Sequence, residues 1–181
     1  WIVTSACDLH CPHCYSSAGK KTVGELTTAE AKRLLVDELV ALGRPTLVLA
    51  GGELLLRKDI PEIVSYACEQ GLSWAMHTHG GHVPKFRSLL ARHPPALAAI
   101  SLDGERELHD LFRGRRGSFG WGGRFRCLRQ EGRSAVPVKL LRTVLILRCV
   151  VCHDASHGEG LIKPRPEFTN SLSSAWSDCS A

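Results

Sequence analysis

An alternation of short apolar runs with segments of helical periodicity, over the first 110 residues, constrains the fold most. Helical segments between the runs end near Gly43, Gly71 and Pro94. The apolar runs predict four strands, at residues 1–4, 46–50, 72–76 and 96–100. Strands that alternate with helices imply a parallel sheet with crossover helices, and therefore an α/β fold.

The first helix has the clearest beginning. Thr27 and Glu30 have the spacing of a capping box, in which each side chain accepts from the other residue's backbone. The strand that follows the helix, at 46–50, is a continuous apolar run. Such a run is typical of a strand buried on both faces.

Polar or glycine-rich residues follow each predicted strand. Cysteines follow the first strand, and the next three are followed by residues 51–53, 77–81 and 101–104. Because parallel α/β sheets carry their sites at the carboxyl ends of the strands, the sequence predicts one site formed by these four segments.

Three of the eight cysteines lie in one short loop, at Cys7, Cys11 and Cys14. The spacing alone leaves open a zinc site, a disulfide framework and a three-cysteine iron–sulfur site. Zinc would need a fourth ligand from His10 or His13, which would strain a tetrahedron within so short a loop. Disulfides this close in sequence cannot join distant elements. Three thiolates favour a [4Fe–4S] cluster with one open iron, because electron-transfer clusters use four cysteines.

Composition limits the partners. The formal net charge is +5, and seven arginines between 113 and 133 account for the excess; such a run is typical of a solvated face, so nucleic acid is not an expected partner. No run approaches the roughly 18 apolar residues of a membrane span. No signal peptide is evident, and clustered CxxC spacing suits a reducing compartment, so a cytoplasmic location is expected.

Together, these motifs resemble those of the radical S-adenosylmethionine (SAM) enzymes. The resemblance rests on CDLHCPHCY, on the GGE after the second strand, on LLRKDIPEIVSYACEQGL and on SLDGERELHDLFRGRRGSF. It covers residues 1–119 and is strongest toward the subgroup that matures peptides or assembles cofactors such as modified haems. It implies a partial (β/α) barrel of parallel strands, incomplete on the C-terminal side.

The resemblance also implies cofactors and chemistry. Cys7, Cys11 and Cys14 would hold a [4Fe–4S] cluster whose open iron binds SAM. An electron from a donor such as a flavodoxin or ferredoxin would cleave SAM to methionine and a 5′-deoxyadenosyl radical. That radical would abstract hydrogen from a peptide or a tetrapyrrole-like substrate.

By the same resemblance, Tyr15 would lie near the adenine of SAM. Gly51 and Gly52 would let the backbone approach the methionine, and Glu53 would accept a hydrogen bond from its ammonium group. Contacts with the ribose or carboxylate are implied for two further residues, Ser101 and Asp103.

Other reactive side chains have simpler interpretations. His77, His79 and His82 are expected to line a polar pocket or the surface rather than bind a metal. Cys68 is expected to act as a small buried apolar residue on a helix. An HDxxRG-like segment containing His109 and Arg113 is expected to shape the substrate side or to cap a helix.

The chain also departs from the family pattern. Leu54 replaces the proline that usually follows GGE, His79 replaces an asparagine, and three glycines within 120–123 should interrupt the helix after Phe119. The later strands of a six-unit barrel are not evident. These departures suggest a fragment, and they leave open a non-catalytic metal- or cluster-binding protein as an alternative to an enzyme.

The last third of the chain is the least regular. Residues 136–147 could form a fifth strand, so the core domain is predicted at 1–147. The remainder, 148–181, is rich in Ser, Pro and Gly and predicts an irregular or disordered tail.

This tail contains a CxxCH motif. Cys149, Cys152 and His153 match the haem-attachment pattern and leave open an electron-transfer module. With Cys179 the two cysteines could instead hold an auxiliary iron–sulfur cluster. Only 28 residues follow the motif, too few for a cytochrome domain, so a chance match is preferred.

Overall fold

A computed structural model describes residues 1–122 and 138–142 of the chain, all within one compact unit, Trp1–Arg142. The strands in these residues are parallel and lie side by side in chain order. They are β1 (Ile2–Thr4), β2 (Leu47–Gly51), β3 (Trp74–Thr78), β4 (Leu97–Leu102) and β5 (Val138–Arg142). The predicted α/β partial barrel of parallel strands is confirmed, and all of the strands end at the same edge of the sheet.

Helices connect the strands. They are α1 (Thr28–Glu30), a π-helical segment (Ala31–Val36), α2 (Asp37–Ala41), α3 (Ile60–Glu69), α4 (Arg87–Arg92) and α5 (Arg106–Arg113), with 3₁₀ turns at Leu54–Leu56 and Val83–Phe86. The predicted capping box is confirmed: the Thr27 N–H donates to Glu30 Oε2 at 2.8 Å and the Glu30 N–H to Thr27 Oγ1 at 3.3 Å. The first helix continues through α2, but its middle is π-helical, a local change that apolar spacing does not reveal.

One apolar core lies between the sheet and the helices. The buried face of α3 meets the strands through Ile60, Val64 and Ala67, which pack in one cluster with Leu49 and Met76. Full burial of one such aliphatic side chain contributes about 1.5–3 kcal/mol. This core fixes the strands on which the polar edge residues stand.

Three details differ from the sequence predictions. Val48 is 40% exposed, so β2 is not buried on both faces. β3 ends at Thr78 rather than Met76, which brings Thr78 into the sheet. Residues 119–122 are helical, so the glycines there do not prevent a helix from starting.

Several predictions fall outside the described residues. They are the domain boundary at 147, the tail at 148–181, and the roles of Cys149, Cys152, His153 and Cys179. Within the part of the chain that the structure describes, the helices lack the length and apolar character needed to cross a membrane.

Candidate functional site

The segment after β2 is attached directly to the cysteine loop. The Gly52 N–H donates to the Thr4 carbonyl and the Glu53 N–H to the Ala6 carbonyl, both at 2.8 Å. A Cβ on Gly51 or Gly52 would overlap these same two carbonyl oxygens. The glycines are therefore needed for this backbone approach, a requirement that the sequence interpretation missed. Their predicted contact with methionine stays a prediction.

The cysteine loop is closed by backbone hydrogen bonds. The Cys7 N–H donates to the Gly19 carbonyl and the Gly19 N–H to the Ser5 carbonyl, both at 2.9 Å. Inside the loop, the Cys14 N–H donates to the Cys11 carbonyl at 3.1 Å. All three loop thiols are free and half-buried. A short, closed loop thus carries three free, partly exposed thiols.

The spacing of the sulfurs bears on the choice of metal. Among the described residues, the three sulfurs do not gather within 4.8 Å of one another. Sulfur ligands of a single tetrahedral zinc ion lie about 3.8 Å apart, as follows from a Zn–S distance of about 2.3 Å. A cluster in which each thiolate binds a different iron atom does not require the three sulfurs to gather this closely.

The three thiols lie in different electrostatic surroundings. Burial raises the pKa of the Cys7 thiol to about 11, and the carboxylates of Glu53 and Asp8 add to the rise. For Cys14, burial also favours the thiol, but hydrogen bonds from Ser16 and from the Ala18 N–H outweigh it and lower the pKa. Cys14 is thus the loop cysteine best prepared to act as a thiolate.

Glu53 joins the ends of β2 and β3. Its carboxylate is completely buried, at 0% exposure. Oε1 accepts from Thr78 Oγ1 at 2.7 Å and from the Leu55 N–H at 3.1 Å, and Oε2 accepts from the His79 N–H at 3.0 Å. Each of these partners belongs to the protein, so the predicted bond from Glu53 to an ammonium group stays a prediction.

Asp8, between the first two loop cysteines, contacts three side chains from later in the chain. His79 Nε2 lies 3.0 Å from Asp8 Oδ1, and His82 Nε2 lies 3.0 Å from Oδ2. Arg115 Nη1 lies 3.8 Å from Oδ2. Burial opposes ionisation of Asp8, but the two histidines outweigh it and lower the pKa of the carboxyl group. Sequence reasoning missed Asp8, because partners more than 70 residues away leave no local pattern.

Cys7, Asp8 and His79 together could suggest a mononuclear metal site, since their ligand atoms lie within 4.8 Å of one another. The Gly81 N–H, however, donates to His79 Nδ1 at 3.1 Å. In the neutral ring the proton therefore lies on Nε2, which faces Asp8 and offers no lone pair. The group is better described as a hydrogen-bonded network, and the expectation that His79 and His82 do not bind a metal stays a prediction. His77 is exposed.

The opposite side of the loop contacts α5. Asp103 is buried, and its carboxylate accepts from Arg113 Nη2 at 3.1 Å and forms an ion pair with Arg113 Nε. Arg113 Nη1 donates to Cys11 Sγ at 3.8 Å. The Asp103 N–H donates to His109 Nδ1 at 3.1 Å. Arg113 thus bridges Asp103 and the loop cysteine Cys11. Asp103 was predicted to contact SAM, and that role stays a prediction.

The end of α5 also fits against the loop. Gly114 ends the helix in a left-handed conformation, with φ 63°, and a Cβ there would lie 3.1 Å from the His10 carbonyl oxygen. Asp110 accepts from the Gly117 N–H at 2.6 Å and from Ser118 Oγ at 3.0 Å, and so holds the following turn. The HDxxRG-like segment therefore ends the helix, as one of its two predictions stated, and it also supports the cysteine loop.

The remaining predicted residues have simpler positions. Tyr15 is 83% exposed on the loop, and Ser101 is half-buried in β4. Their proposed contacts with SAM stay predictions. Cys68 is partly buried and packs against the core, as expected.

Comparison with protein families finds one matching model, described as the Radical SAM superfamily, over residues 1–141. The chain is 38% identical over 121 residues to Fe-coproporphyrin III synthase of Methanosarcina barkeri, covering 66% of this chain and 30% of that protein. Identity is also 38% over 121 residues to the mycofactocin maturase MftC of Mycobacterium tuberculosis, with the same shares covered. The chain thus spans about a third of the length of these relatives.

Solved structures share the fold. Native anSMEcpe with bound AdoMet and a peptide aligns with a TM-score of 0.64 and 19% identity, over 77% of this chain and 41% of that one. SuiB of Streptococcus suis bound to S-adenosylmethionine aligns with a TM-score of 0.65 and 16% identity, over 83% and 36%.

Proposed function

Since the chain belongs to the radical SAM superfamily, we propose that it holds a [4Fe–4S] cluster on Cys7, Cys11 and Cys14 and binds SAM across the strand ends. When bound, the reduced cluster supplies the electron that cleaves SAM to methionine and the hydrogen-abstracting 5′-deoxyadenosyl radical. The observation that carries the proposal is the closed loop with three free, half-buried thiols, held between the ends of β2 and α5.

The donor set suits a cluster with one open iron. The three sulfurs are close in sequence but do not all lie within 4.8 Å of one another, the close gathering that one zinc ion would need. Hydrogen bonds from the Ala18 N–H to Cys14 and from Arg113 to Cys11 reach two of the sulfurs. Such bonds stabilise sulfur in the negatively charged form that a cluster requires.

We place the methionine part of SAM beside Gly51, Gly52 and Glu53. This segment is hydrogen-bonded to the residues just before Cys7, so a ligand on the open iron would lie near it. Glu53 supplies negative charge there, which favours an ammonium group. In this role Glu53 would act through its negative charge and through its hydrogen bonds to the end of β3. It would exchange one hydrogen bond within the protein for one from the ammonium group of the ligand.

The other three residues are assigned to the rest of SAM. Ser101 and Asp103 stand at the end of β4, two strands away from β2 in the sheet, and are proposed to contact the ribose or carboxylate. Tyr15 follows the third cysteine and is exposed, so its ring is free to pack on the adenine.

For the substrate we propose a peptide or a tetrapyrrole-like cofactor precursor. Relatives are named for haem and coproporphyrin synthesis and for mycofactocin maturation. One solved neighbour is SuiB bound to the precursor peptide SuiA. A flavodoxin or ferredoxin is proposed as electron donor, and residues 1–147 as the catalytic core.

The experiment that tests the function is low-temperature EPR of the anaerobically reconstituted, dithionite-reduced chain, with and without SAM. A [4Fe–4S]⁺ signal whose g-values shift on addition of SAM is expected, because SAM would ligate the open iron. A cluster indifferent to SAM would instead support the alternative, a cluster-binding protein without SAM chemistry. Absence of any cluster would refute the ligand assignment.

A further inference from the structure

Arg113 is a buried cation with one end on a proposed cluster ligand. Arg113 is only 9% exposed. Arginine is rarely buried without a partner, so its contacts inside the protein need an account. Nη1 points its N–H at Cys11 Sγ, 3.8 Å away. A guanidinium group carries a positive charge and offers only N–H donors, so it can stabilise negative charge on the sulfur.

The guanidinium group is held in place from its other side. Nη2 donates to Asp103 Oδ1 at 3.1 Å, and Nε pairs with Oδ2 of the same carboxylate. Asp103 is itself 2% exposed, and its backbone N–H donates to His109. The Nε–Oδ2 approach is an ion pair without hydrogen-bond geometry, so one hydrogen bond and one ion pair to the same carboxylate restrict rotation of the guanidinium group and keep Nη1 directed at Cys11.

Surrounding contacts limit movement of the loop at the same place. His13 Nε2 lies 3.7 Å from Asp103 Oδ2, and the His13 ring packs edge-on against Phe112 of α5. Together with the close fit of Gly114 under His10, these contacts hold the residues on both sides of Cys11 against α5.

Resting on the proposed function, we propose that Arg113 is a positioning residue that fixes the Cys11 sulfur and raises the reduction potential of the cluster. Reduction adds negative charge to the cluster and its sulfur ligands. A hydrogen bond and a nearby cation stabilise that charge, so they favour the reduced state.

The test is an EPR-monitored redox titration of the reconstituted chain carrying Arg113→Gln. Its potential is expected to lie below that of the unsubstituted chain, because both the donor and the charge beside Cys11 are lost. Arg113→Lys keeps a positive charge but has no planar group that can contact Asp103 and Cys11 at once. The reduction potential of its cluster is expected to lie between those of the unsubstituted chain and Arg113→Gln. If Arg113→Gln does not retain a cluster, Arg113→Lys alone tests the proposal. A reduction potential below that of the unsubstituted chain would support it, and an equal potential would overturn it.

Arg116→Gln is the matched control. Arg116 is exposed and three residues further on, so this variant removes the same formal charge without touching Cys11. Its potential should equal that of the unsubstituted chain. Equal potentials for Arg113→Gln and Arg116→Gln would overturn the proposal.

A second readout does not need a cluster. In the cluster-free chain, amide hydrogen exchange in the loop that contains the Cys14-to-Cys11 backbone bond should be faster in Arg113→Gln than in Arg116→Gln. Failure of the unsubstituted chain to assemble a cluster would count against the proposed function alone. Equal exchange in the two variants would then count against positioning by Arg113.

Discussion

Glu53 and Thr78 stand at the ends of two neighbouring strands and are joined by a 2.7 Å hydrogen bond inside the protein. This bond links the segment beside the cysteine loop to the segment that carries His79. Since a buried carboxylate without donors costs free energy, the stability of the site edge depends on Thr78.

Thr78→Val should therefore destabilise the chain. Valine keeps the shape of threonine but removes the hydroxyl donor, so a loss of about 1–3 kcal/mol in the free energy of unfolding is expected. Urea unfolding followed by circular dichroism measures it. Thr46→Val, at an exposed position before β2, is the control and should change stability by less than about 0.5 kcal/mol. Similar losses in both variants would contradict the role of Thr78.

Gly52→Ala should be more damaging than a surface substitution. The added Cβ would overlap the Ala6 carbonyl oxygen, which cannot move without breaking the bond from the Glu53 N–H. A loss of about 3 kcal/mol in the free energy of unfolding is expected. Gly19→Ala, where a Cβ meets nothing within 4 Å, should be close to neutral. A tolerated Gly52→Ala would show that the loop does not need this close approach.

The Arg57–Asp59 pair predicts a pH dependence of stability. Arg57 Nε donates to Asp59 Oδ1 at 2.7 Å, and its other nitrogens donate to the Val3 and Leu26 carbonyls. Hydrogen bonding from Arg57 lowers the pKa of Asp59, against an opposing effect of burial. The stabilisation is thus complete above the unfolded pKa of 3.8 and is lost as the pH falls through the lower folded value.

Unfolding of Asp59→Asn and of the unsubstituted chain at pH 6 and pH 3 tests this. At pH 6 the variant should be less stable by about 1–3 kcal/mol, and the gap should narrow at pH 3. Glu62→Gln breaks an exposed pair with Lys32 and should cost less than about 1 kcal/mol at pH 6. A gap that stays constant between the two pH values would exclude ionised Asp59 as the cause.

Cys11→Ala should abolish cluster binding, whereas Cys68→Ala should not. Cys68 lies on α3 and packs against the core, away from the loop. Iron and sulfide analysis after identical anaerobic reconstitution should give about four irons per chain for Cys68→Ala. Equal loss in both variants would contradict the ligand assignment. Cys152→Ala is likewise expected to retain the cluster.

Local patterns in the sequence predicted the frame of the molecule well. Some features depend on residues only a few positions apart and can therefore be recognised in a short stretch of sequence. They are the capping box of Thr27 and Glu30, the helix ends and the strands. The exposure of Val48 was missed because an apolar run reports propensity and not what covers each face. The π-helical segment was missed because apolar spacing does not separate it from an α-helix.

For the candidate site, too, local signals were found and contacts between distant residues were missed. Spacing identified the three cysteines, and resemblance pointed to residues 51–53 and to the HDxxRG-like segment. Neither could reveal that Asp8 contacts His79, because that contact joins residues 71 positions apart. The substitution of histidine for the usual asparagine at 79 was visible, but its meaning required the position of Asp8.

The contacts of Asp8 also impose an order in time. During synthesis at about 5–20 residues per second, the cysteine loop precedes His79 by roughly 4 to 14 seconds. Arg113 emerges later still. Iron and sulfide that reached the nascent chain early would meet three thiols on a loop without its supports. If the proposed function holds, the cluster ligands would gain all of their described supports only after translation has passed α5.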